Sequence, residues 1–555
     1  MDSIILKKRF DALVSQRKIL DDTLQIIERF VVPHRGEFFQ PQNDEGEIDW
    51  RRRDIFDSTA IDANETLSSS LQGSLTSPST KWFALGFRQE ELNEDQIAME
   101  WIEECGNRMY QALIDSNFNL ESAEFYLDLT SYGTSILFEE AESEDPKDWK
   151  GLDFQAAPMR DCYFEMDHKN QVLRFYRQYQ WTPLQIIDKF GEHTPEHIRL
   201  KAEGNDSNNT RFTCIFIVYE RNDKKANKES NIVLSATERP YGWKWVLHED
   251  GSQLGPEGGY YEMPAFIGRW RKTSGSQWGY SPAHICLSDI LTLNALIEET
   301  LEALGKVVDP ATLTTARNLM TDLDIGRGGL TVVKDLDEIR AYESGARFDV
   351  GEVKIDRLQE SINRAFRVDQ LQMKESPAMT ATEVNVRYEL MQRLLGPTLG
   401  RLQADYLDPL INRTFRIMLR AGQLPDIPES VKEAQGELDV EYVGPLPRAQ
   451  RQEVVQATHS WIGAIAGLME VFPQLKDLPD IDMIGRDTAK MSGLPAKYLN
   501  SDEEVTKTRK QRAEMEQKMQ EAAMAQEEGE AMKSQGEGVV ALSQAMPTLG
   551  DVNAG

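Results

Sequence analysis

Apolar positions follow two rhythms along this chain. Leu6, Phe10, Leu13, Leu20, Leu24, Ile27 and Phe30 recur in helical steps and predict an amphipathic helix that stops at Val32-Pro33. A polar loop over 36–50 follows. Asp57-Ser-Thr-Ala60 opens a second helix through Leu67 and Leu71, ended by Gly73 and the Ser77-Pro78-Ser79 turn. Two more helices are expected over 93–117 and 120–131, before Tyr132-Gly133.

The rhythm changes over 134–275. Short β-branched and aromatic runs at 136–138, 163–165, 172–179, 212–219 and 243–247 are separated by turn residues, as strands are. One helix interrupts them over 181–190, opened by Thr182-Pro183 and closed by Gly191. Polar loops are expected over 205–209 and 222–230.

The helical rhythm returns over 279–422. Ser281-Pro282, a cap followed by proline, starts a helix carrying Leu287, Ile290, Leu293, Ile297, Leu301, Leu304 and Val308, which stops before Pro310. A second helix carries Ile355, Leu358, Ile362 and Phe366. Between them an insert over 323–351 has Gly326-Arg-Gly-Gly329 and two β-rich strings, and suggests a small hairpin. A third helix opens on the capping box Thr380-Ala-Thr-Glu383 and carries Leu390, Leu394, Leu402, Leu407, Ile411 and Phe415. Gly396-Pro397 predicts a kink or break within it. Gly422, Pro425 and Pro428 end it. Short helices are expected over 454–469 and 487–491, then a charged stretch over 502–532 and a loose terminus over 536–555.

Composition sets bounds on this picture. A chain of 555 residues exceeds one compact core. A net charge of −30 excludes a generic basic nucleic-acid binder, but does not exclude a protein that lets DNA slide past without gripping it. The four cysteines, Cys105, Cys162, Cys214 and Cys286, are isolated and read as buried thiols. The start of the chain lacks a signal-peptide run, and the longest apolar stretch, 461–472, is too short to span a bilayer. A soluble protein made in a cytoplasm is expected.

Few residues carry recognisable chemistry. His193 and His197 have a helical metal-pair spacing, but Pro195 lies between them and the usual glutamate order is missing. Arg51-Arg52-Arg53 is flanked by Asp49, Asp54 and Asp57, as a solvated or ion-paired patch would be. Arg269-Trp270-Arg271-Lys272 mixes basic and aromatic residues as nucleic-acid sites do. A strand end that buries Trp270 is the competing account. Asp477, Asp480 and Asp482 do not have a calcium-loop spacing. No phosphate-binding glycine loop or nucleophile motif occurs, and 92 acidic residues leave no carboxylate pair distinctive. No enzymatic activity, metal or cofactor is expected.

Several strings, in order, make the chain resemble the portal, or head-to-tail connector, proteins of short-tailed bacteriophages. They are Phe56-Asp-Ser-Thr-Ala60, Leu75-Thr-Ser-Pro78, Trp82-Phe83, Tyr132-Gly133, Arg160-Asp-Cys-Tyr-Phe164, Met263-Pro264, Arg269-Trp270, Trp278-Gly-Tyr-Ser-Pro282, Leu293-Asn294, Met379-Thr-Ala-Thr-Glu-Val384, Leu395-Gly-Pro397 and Leu410-Ile411. They cover about 1–425.

The resemblance implies a mixed α+β, mainly helical subunit that joins a ring, typically of twelve copies, at one capsid vertex. Residues 1–278 would be the wing, 279–308 the first stem helix and 309–354 the clip. The second stem helix would span 355–373, the channel loop 374–379 and a long helix 380–421. The crown would span 422–500, and 501–555 would be a charged tail, either a helical barrel or disordered. Genomic DNA would be packaged and ejected through the channel. Partners would be further copies of the chain, double-stranded DNA, the terminase large subunit, tail adaptor and ejection proteins, and capsid and scaffolding proteins, with no membrane. The protein would be assembled in the host cytoplasm and reside in the virion. Twelve copies would carry about −360, a field that repels DNA from most of the wall. Lys374, Lys354, Arg357 and Arg364 would then be the DNA-facing candidates, and Arg327, Lys334, Arg340 and Arg347 the docking candidates in the clip. The alternatives are a helical adaptor or scaffold without a channel, and a hydrolase built on a carboxylate pair.

Overall fold

The computed structural model describes residues 2–35, 55–141, 149–168, 171–203, 210–224, 234–272, 275–308, 312–313, 334–335, 337, 340–341, 348–371, 395–433, 438–442, 455–465, 481–491, 498 and 504–519. Two compact units divide the chain: Met1–Glu90 with Trp101–Glu453, and Glu91–Glu100 with Val454–Gly555.

The order begins α1 (Ser3–Val31), α2 (Thr59–Leu75), β1 (Phe83–Phe87), α3 (Glu90–Glu94), α4 (Gln96–Asp115) and α5 (Phe118–Tyr132). Then come β2 (Thr134–Ala141), β3 (Leu152–Ala157), β4 (Cys162–Met166), β5 (Val172–Trp181), α6 (Pro183–Phe190) and α7 (Glu196–Ala202). Next are β6 (Phe212–Glu220), β7 (Tyr241–Leu247), β8 (Gln253–Tyr260), β9 (Ala265–Arg269) and α8 (Pro282–Val308). Then follow β10 (Thr312–Leu313), β11 (Arg340–Ala341), α9 (Phe348–Ala365), α10 (Val368–Leu371), α11 (Asp408–Arg420), α12 (Glu429–Glu433) and β12 (Leu438–Tyr442), with 91–100, which hold most of α3 and the start of α4, belonging to the second unit.

Two antiparallel sheets pack face to face. The smaller has strand order β3-β2-β9, and the larger is the meander β4-β5-β6-β7-β8. Alternation along β6 explains how they bury both faces. Phe212, Cys214, Phe216 and Val218 point into the core shared with Ile136, Phe138 and Ile267 of the smaller sheet. Ile215, Ile217 and Tyr219 point the other way, against Leu6, Phe10 and Leu13 of α1. Each fully buried side chain of this size contributes about 1.5–3 kcal/mol, so the stripe on α1 clamps the helix to the sheet.

Local capping matches the expected element ends. Thr182 and Gln185 form a reciprocal capping box at the start of α6. Gly133 closes α5 in the left-handed conformation, with φ of 82°. Gly422, with φ of 63°, ends α11, where Gln423 N–H donates to the Met418 carbonyl and Gly422 N–H to that of Leu419.

Several expectations change. β1, β3 and β8 were not expected as strands, whereas β9 ends beside Trp270 as the strand-end account of that string has it. The sequence of β8, Gln-Leu-Gly-Pro-Glu-Gly-Gly-Tyr, is a poor strand former by propensity. Its pairing with β7 supplies what propensity lacks. Likewise β1 is completed by β12, far along the chain, with Leu85 opposite Val440. The second helix of the 279–422 region starts at Phe348 rather than Ile355, and breaks after Ala365 rather than running to Met373. In the third helix the described irregularity is a π turn at Gln403–Leu407, while 395–402 is helical through Pro397. Residues 380–394 lie outside the described residues, as do the loops at 36–50 and 205–209. The insert shows one antiparallel pair, Thr312 opposite Ala341 and Leu313 opposite Arg340.

In the second unit, 455–465, 481–491 and 504–519 are helical, the middle segment being α13 (Ile481–Met491). Arg509 pairs with both carboxylate oxygens of Asp482 at 2.6 Å. Among the described residues no helix is long and apolar enough to cross a membrane.

Candidate functional site

The region that sequence reading singled out is a pair of packed helices, α8 and α9, joined to the sandwich by a dense set of polar contacts. Their near halves are buried: Ala283, Cys286, Ile290 and Leu293 on α8, Ile362 on α9 and Phe366 just after it. Ser361 Oγ donates to Asp289 across the pair at 2.8 Å. Their far halves are exposed. Leu301 is 51% exposed, Leu304 47%, Val307 50%, Val308 78% and, on α9, Val353 52%. So much apolar surface on one helix pair is a face left uncovered among the described residues.

On α9, Lys354, Arg357 and Arg364 are exposed. At about 100° per residue they fall within roughly 80° of arc, with Glu360 about 40° beyond Arg364 and Ile362 at least about 80° from each of them. Arg364 is tied to Glu360 at 2.9 Å in an exposed i, i+4 pair. Lys334 is exposed. Lys374, Arg327 and Arg347, and the side chain of Arg340, lie outside the described residues. Arg51, Arg52 and Arg53 lie outside them as well.

The joint between the helix pair and the rest is built from the strings quoted above. Phe56 N–H donates to Asn294 Oδ1 of α8 at 3.0 Å. Asp57 caps α2 through Thr59 N–H at 2.9 Å and accepts from Gln359 of α9 at 2.8 Å. Gly133 and Gly279 cross so closely that a Cβ on Gly279 would lie 2.0 Å from the Gly133 oxygen. Gly279 N–H donates to Thr134 Oγ1 at 2.7 Å, and Trp270 N–H to the Gly133 carbonyl at 2.9 Å.

Ser281 starts α8. It accepts from His284 N–H at 3.2 Å, and its own N–H donates to His284 Nδ1 at 3.3 Å, a capping box in which histidine replaces the usual glutamate. Burial pushes the His284 imidazole down to about 4, so it is the neutral acceptor this cap needs. The Ser281 Oγ and His284 Nδ1 atoms lie 2.7 Å apart, the spacing of a nucleophile and its base. Ser281 is fully buried, and its Oγ donates to the Ser131 carbonyl at 2.6 Å, so no substrate reaches it. The pair is a helix cap.

Three charged positions that sequence reading missed lie at other joints, Arg17 and Glu139 buried and Glu262 half-buried. Arg17 of α1 is 1% exposed, and its guanidinium donates to the carbonyls of Met159, Arg160 and Cys162, to Tyr163 Oη and to Asp21. It thus reads the Arg160–Phe164 string. Glu139 of β2 accepts from Thr414 of α11 at 2.8 Å, with Arg413 Nε at 3.5 Å. Burial outweighs the pull of Arg413 and raises the Glu139 carboxyl to about 7. Glu262 takes a two-pronged pair from Arg420 at 2.9 and 3.0 Å. The signal for these residues was only their odd placement within apolar stripes, as with Arg17 between Leu13 and Leu24.

Other candidates resolve plainly. Trp270 is 3% exposed and Arg269 2%, and Arg269 pairs with Asp405 of the π turn at 2.8 Å, so this string packs into the core. His193 lies in a 3-10 turn and His197 on α7, with its ring 6.3 Å from Phe212, so the two do not share a helix. Among the described residues no group of metal-ligating side chains comes together. All four cysteines are buried and free. Asp477 and Asp480 lie outside the described residues.

A family profile for the bacteriophage head to tail connecting protein matches residues 5–499. The chain belongs to that family. It is 27% identical over 533 residues to the probable portal protein of Bordetella phage BPP-1, covering 93% of this chain and 92% of that one. It is 24% identical over 526 residues to the portal protein of Salmonella phage epsilon15, with the same coverage of 93% and 92%. The family is structural rather than enzymatic, and its members are virion components. The connector resemblance drawn from ordered strings is thereby established, and the hydrolase alternative is set aside.

Proposed function

We infer that this connector protein is the portal subunit of its phage, closing into a ring of twelve copies whose α8 and α9 helices line a DNA channel. The observation that carries the reading is the exposed apolar face on the far turns of α8 and α9. Leu301, Leu304, Val307 and Val308 stand in water in one subunit and would be covered by the neighbouring pair in a ring. In this reading α8 and α9 are the stem, residues 1–278 the wing, the insert from 309 the clip, and the chain from 422 the crown and tail. Lys354, Arg357 and Arg364 are the DNA-facing candidates on α9, with Lys374 beyond it. The pairing of Arg364 with Glu360 suits weak, sequence-independent phosphate contacts, which a sliding duplex needs. Lys334, with Arg327, Arg340 and Arg347, would dock the terminase large subunit and then the tail adaptor. Ejection, capsid and scaffolding proteins complete the partners, and assembly takes place in the host cytoplasm.

Electron microscopy and native mass measurement of the purified protein test the ring. Closed rings with a central hole are expected from the wild type, and a Leu304→Glu variant should give subunits or open arcs. A wild type that stays a compact monomer at micromolar concentration would refute the reading. The cations are tested separately: Arg364→Ala with Lys374→Ala should alter packaging or DNA retention, and unchanged genome length and titre sink that assignment.

A further inference from the structure

The break in α9 is the strained point of the described backbone. Arg367 has φ of 62° and is the one residue other than glycine with positive φ among the described residues. A side-chain-bearing residue in the left-handed region is disfavoured by roughly five- to thirty-fold. Nothing in the local sequence asks for it. Ile362 to Met373 contains no glycine or proline to end a helix. Helix α9 nonetheless stops at Ala365, and α10 resumes at Val368.

Tertiary packing explains the conflict. Phe366 is fully buried and Val368 is 7% exposed, so both neighbours of Arg367 are anchored. The Phe366 and Arg367 N–H groups donate to the carbonyls of Ile362 and Arg364 at 3.1 and 3.2 Å, and Gln370 N–H donates to that of Arg367 at 3.0 Å. Helix α10 lies against α2 as well as α9. Strain that packing must overcome marks a segment with a second conformation close in energy.

We propose that residues 366–368 form a two-position hinge. Buried Phe366 and Val368 hold it broken, and releasing them lets α9 and α10 join into one straight helix. Helix α10 is the last described element before the segment that contains Lys374, so the hinge sets where that segment begins. The inference rests on the local fold and not on the ring or the DNA reading.

Double electron–electron resonance between spin labels at Glu352→Cys and Gln370→Cys tests it. Both positions are exposed, while the native cysteines are buried. Labelled subunits are diluted with unlabelled ones so that each assembly carries one pair. A straight helix would separate the two α-carbons by about 27 Å. The wild type should show mainly the shorter, broken distance. Val368→Ala should add a population near the straight value. Arg367→Gly, which removes the strain but keeps the anchors, should raise the melting temperature and leave only the short distance. A Val368→Ala distribution identical to the wild type overturns the proposal, because a fixed break has no second position to fill. A lower melting temperature for Arg367→Gly overturns it as well, since it would mean that the arginine side chain holds the break.

Discussion

Replacing Arg17 with methionine removes the guanidinium while keeping the length of the side chain. Five hydrogen bonds are lost: two of 2.7 Å to the carbonyls of Met159 and Cys162, one to the Arg160 carbonyl, one of 2.7 Å to Tyr163 Oη and one of 2.8 Å to Asp21. The guanidinium also lies 3.9 Å from the Tyr163 ring centroid and 5.2 Å from that of Trp278. A hydrogen bond from a charged donor contributes about 1.5–3 kcal/mol, but five sharing one group do not add. Removing one partner of a buried charged cluster costs about 3–5 kcal/mol, and that range is expected here. Arg17→Lys keeps the charge but cannot reach three carbonyls from one planar fork, so an intermediate loss is expected. Asp21 adds a sign. Its carboxyl already lies above the usual range through burial, with Arg17 pulling it back, so the variant should raise it further. A raised carboxyl stabilises at low pH and loses that contribution as pH rises through its folded value, so the defect should be larger at pH 8 than at pH 5. Urea unfolding at fixed protein concentration, followed by tryptophan fluorescence, measures both effects. A loss below about 1 kcal/mol would show that the cluster does not hold α1 to the sheet, and would refute the reasoning.

Gly279→Ala should be among the most damaging small substitutions, because its Cβ meets a backbone oxygen at 2.0 Å and neither chain can step aside cheaply. A loss of about 3 kcal/mol is expected from thermal or urea unfolding, against near-neutral behaviour for Gly305→Ala, where nothing lies within 4 Å. Glu139 favours its protonated form when folded, so its contribution is greatest below its ordinary value of 4.5 and is lost as pH rises through about 7. Glu139→Gln should therefore flatten the fall in melting temperature between pH 5 and pH 8, and an unchanged slope counts against it. Thr182→Ala removes half of the α6 capping box and should cost about 1 kcal/mol, recovered by Thr182→Ser.

The amphipathic stripe of α1, the aromatic alternation of β6 and the end signals at Gly133, Thr182, Gly191 and Gly422 were legible in the sequence. Each is a local matter, because a short stretch of chain contains both the periodicity and the residue that stops it. The α8 helix was legible in the same way, from Ser281-Pro282 to Val308. Tertiary structure alone decided four things. It made a strand of the glycine-rich β8, because pairing with β7 offsets poor propensity. It paired β1 with β12 across most of the chain, a partnership with no local trace. It broke α9 at Arg367, because burying Phe366 and Val368 outweighs the helical preference of the segment. It also buried Arg17, Glu139 and Arg413, whose charges become joints once several elements converge on them. Propensity acts over a few residues, whereas burial depends on what the rest of the chain brings to the same place.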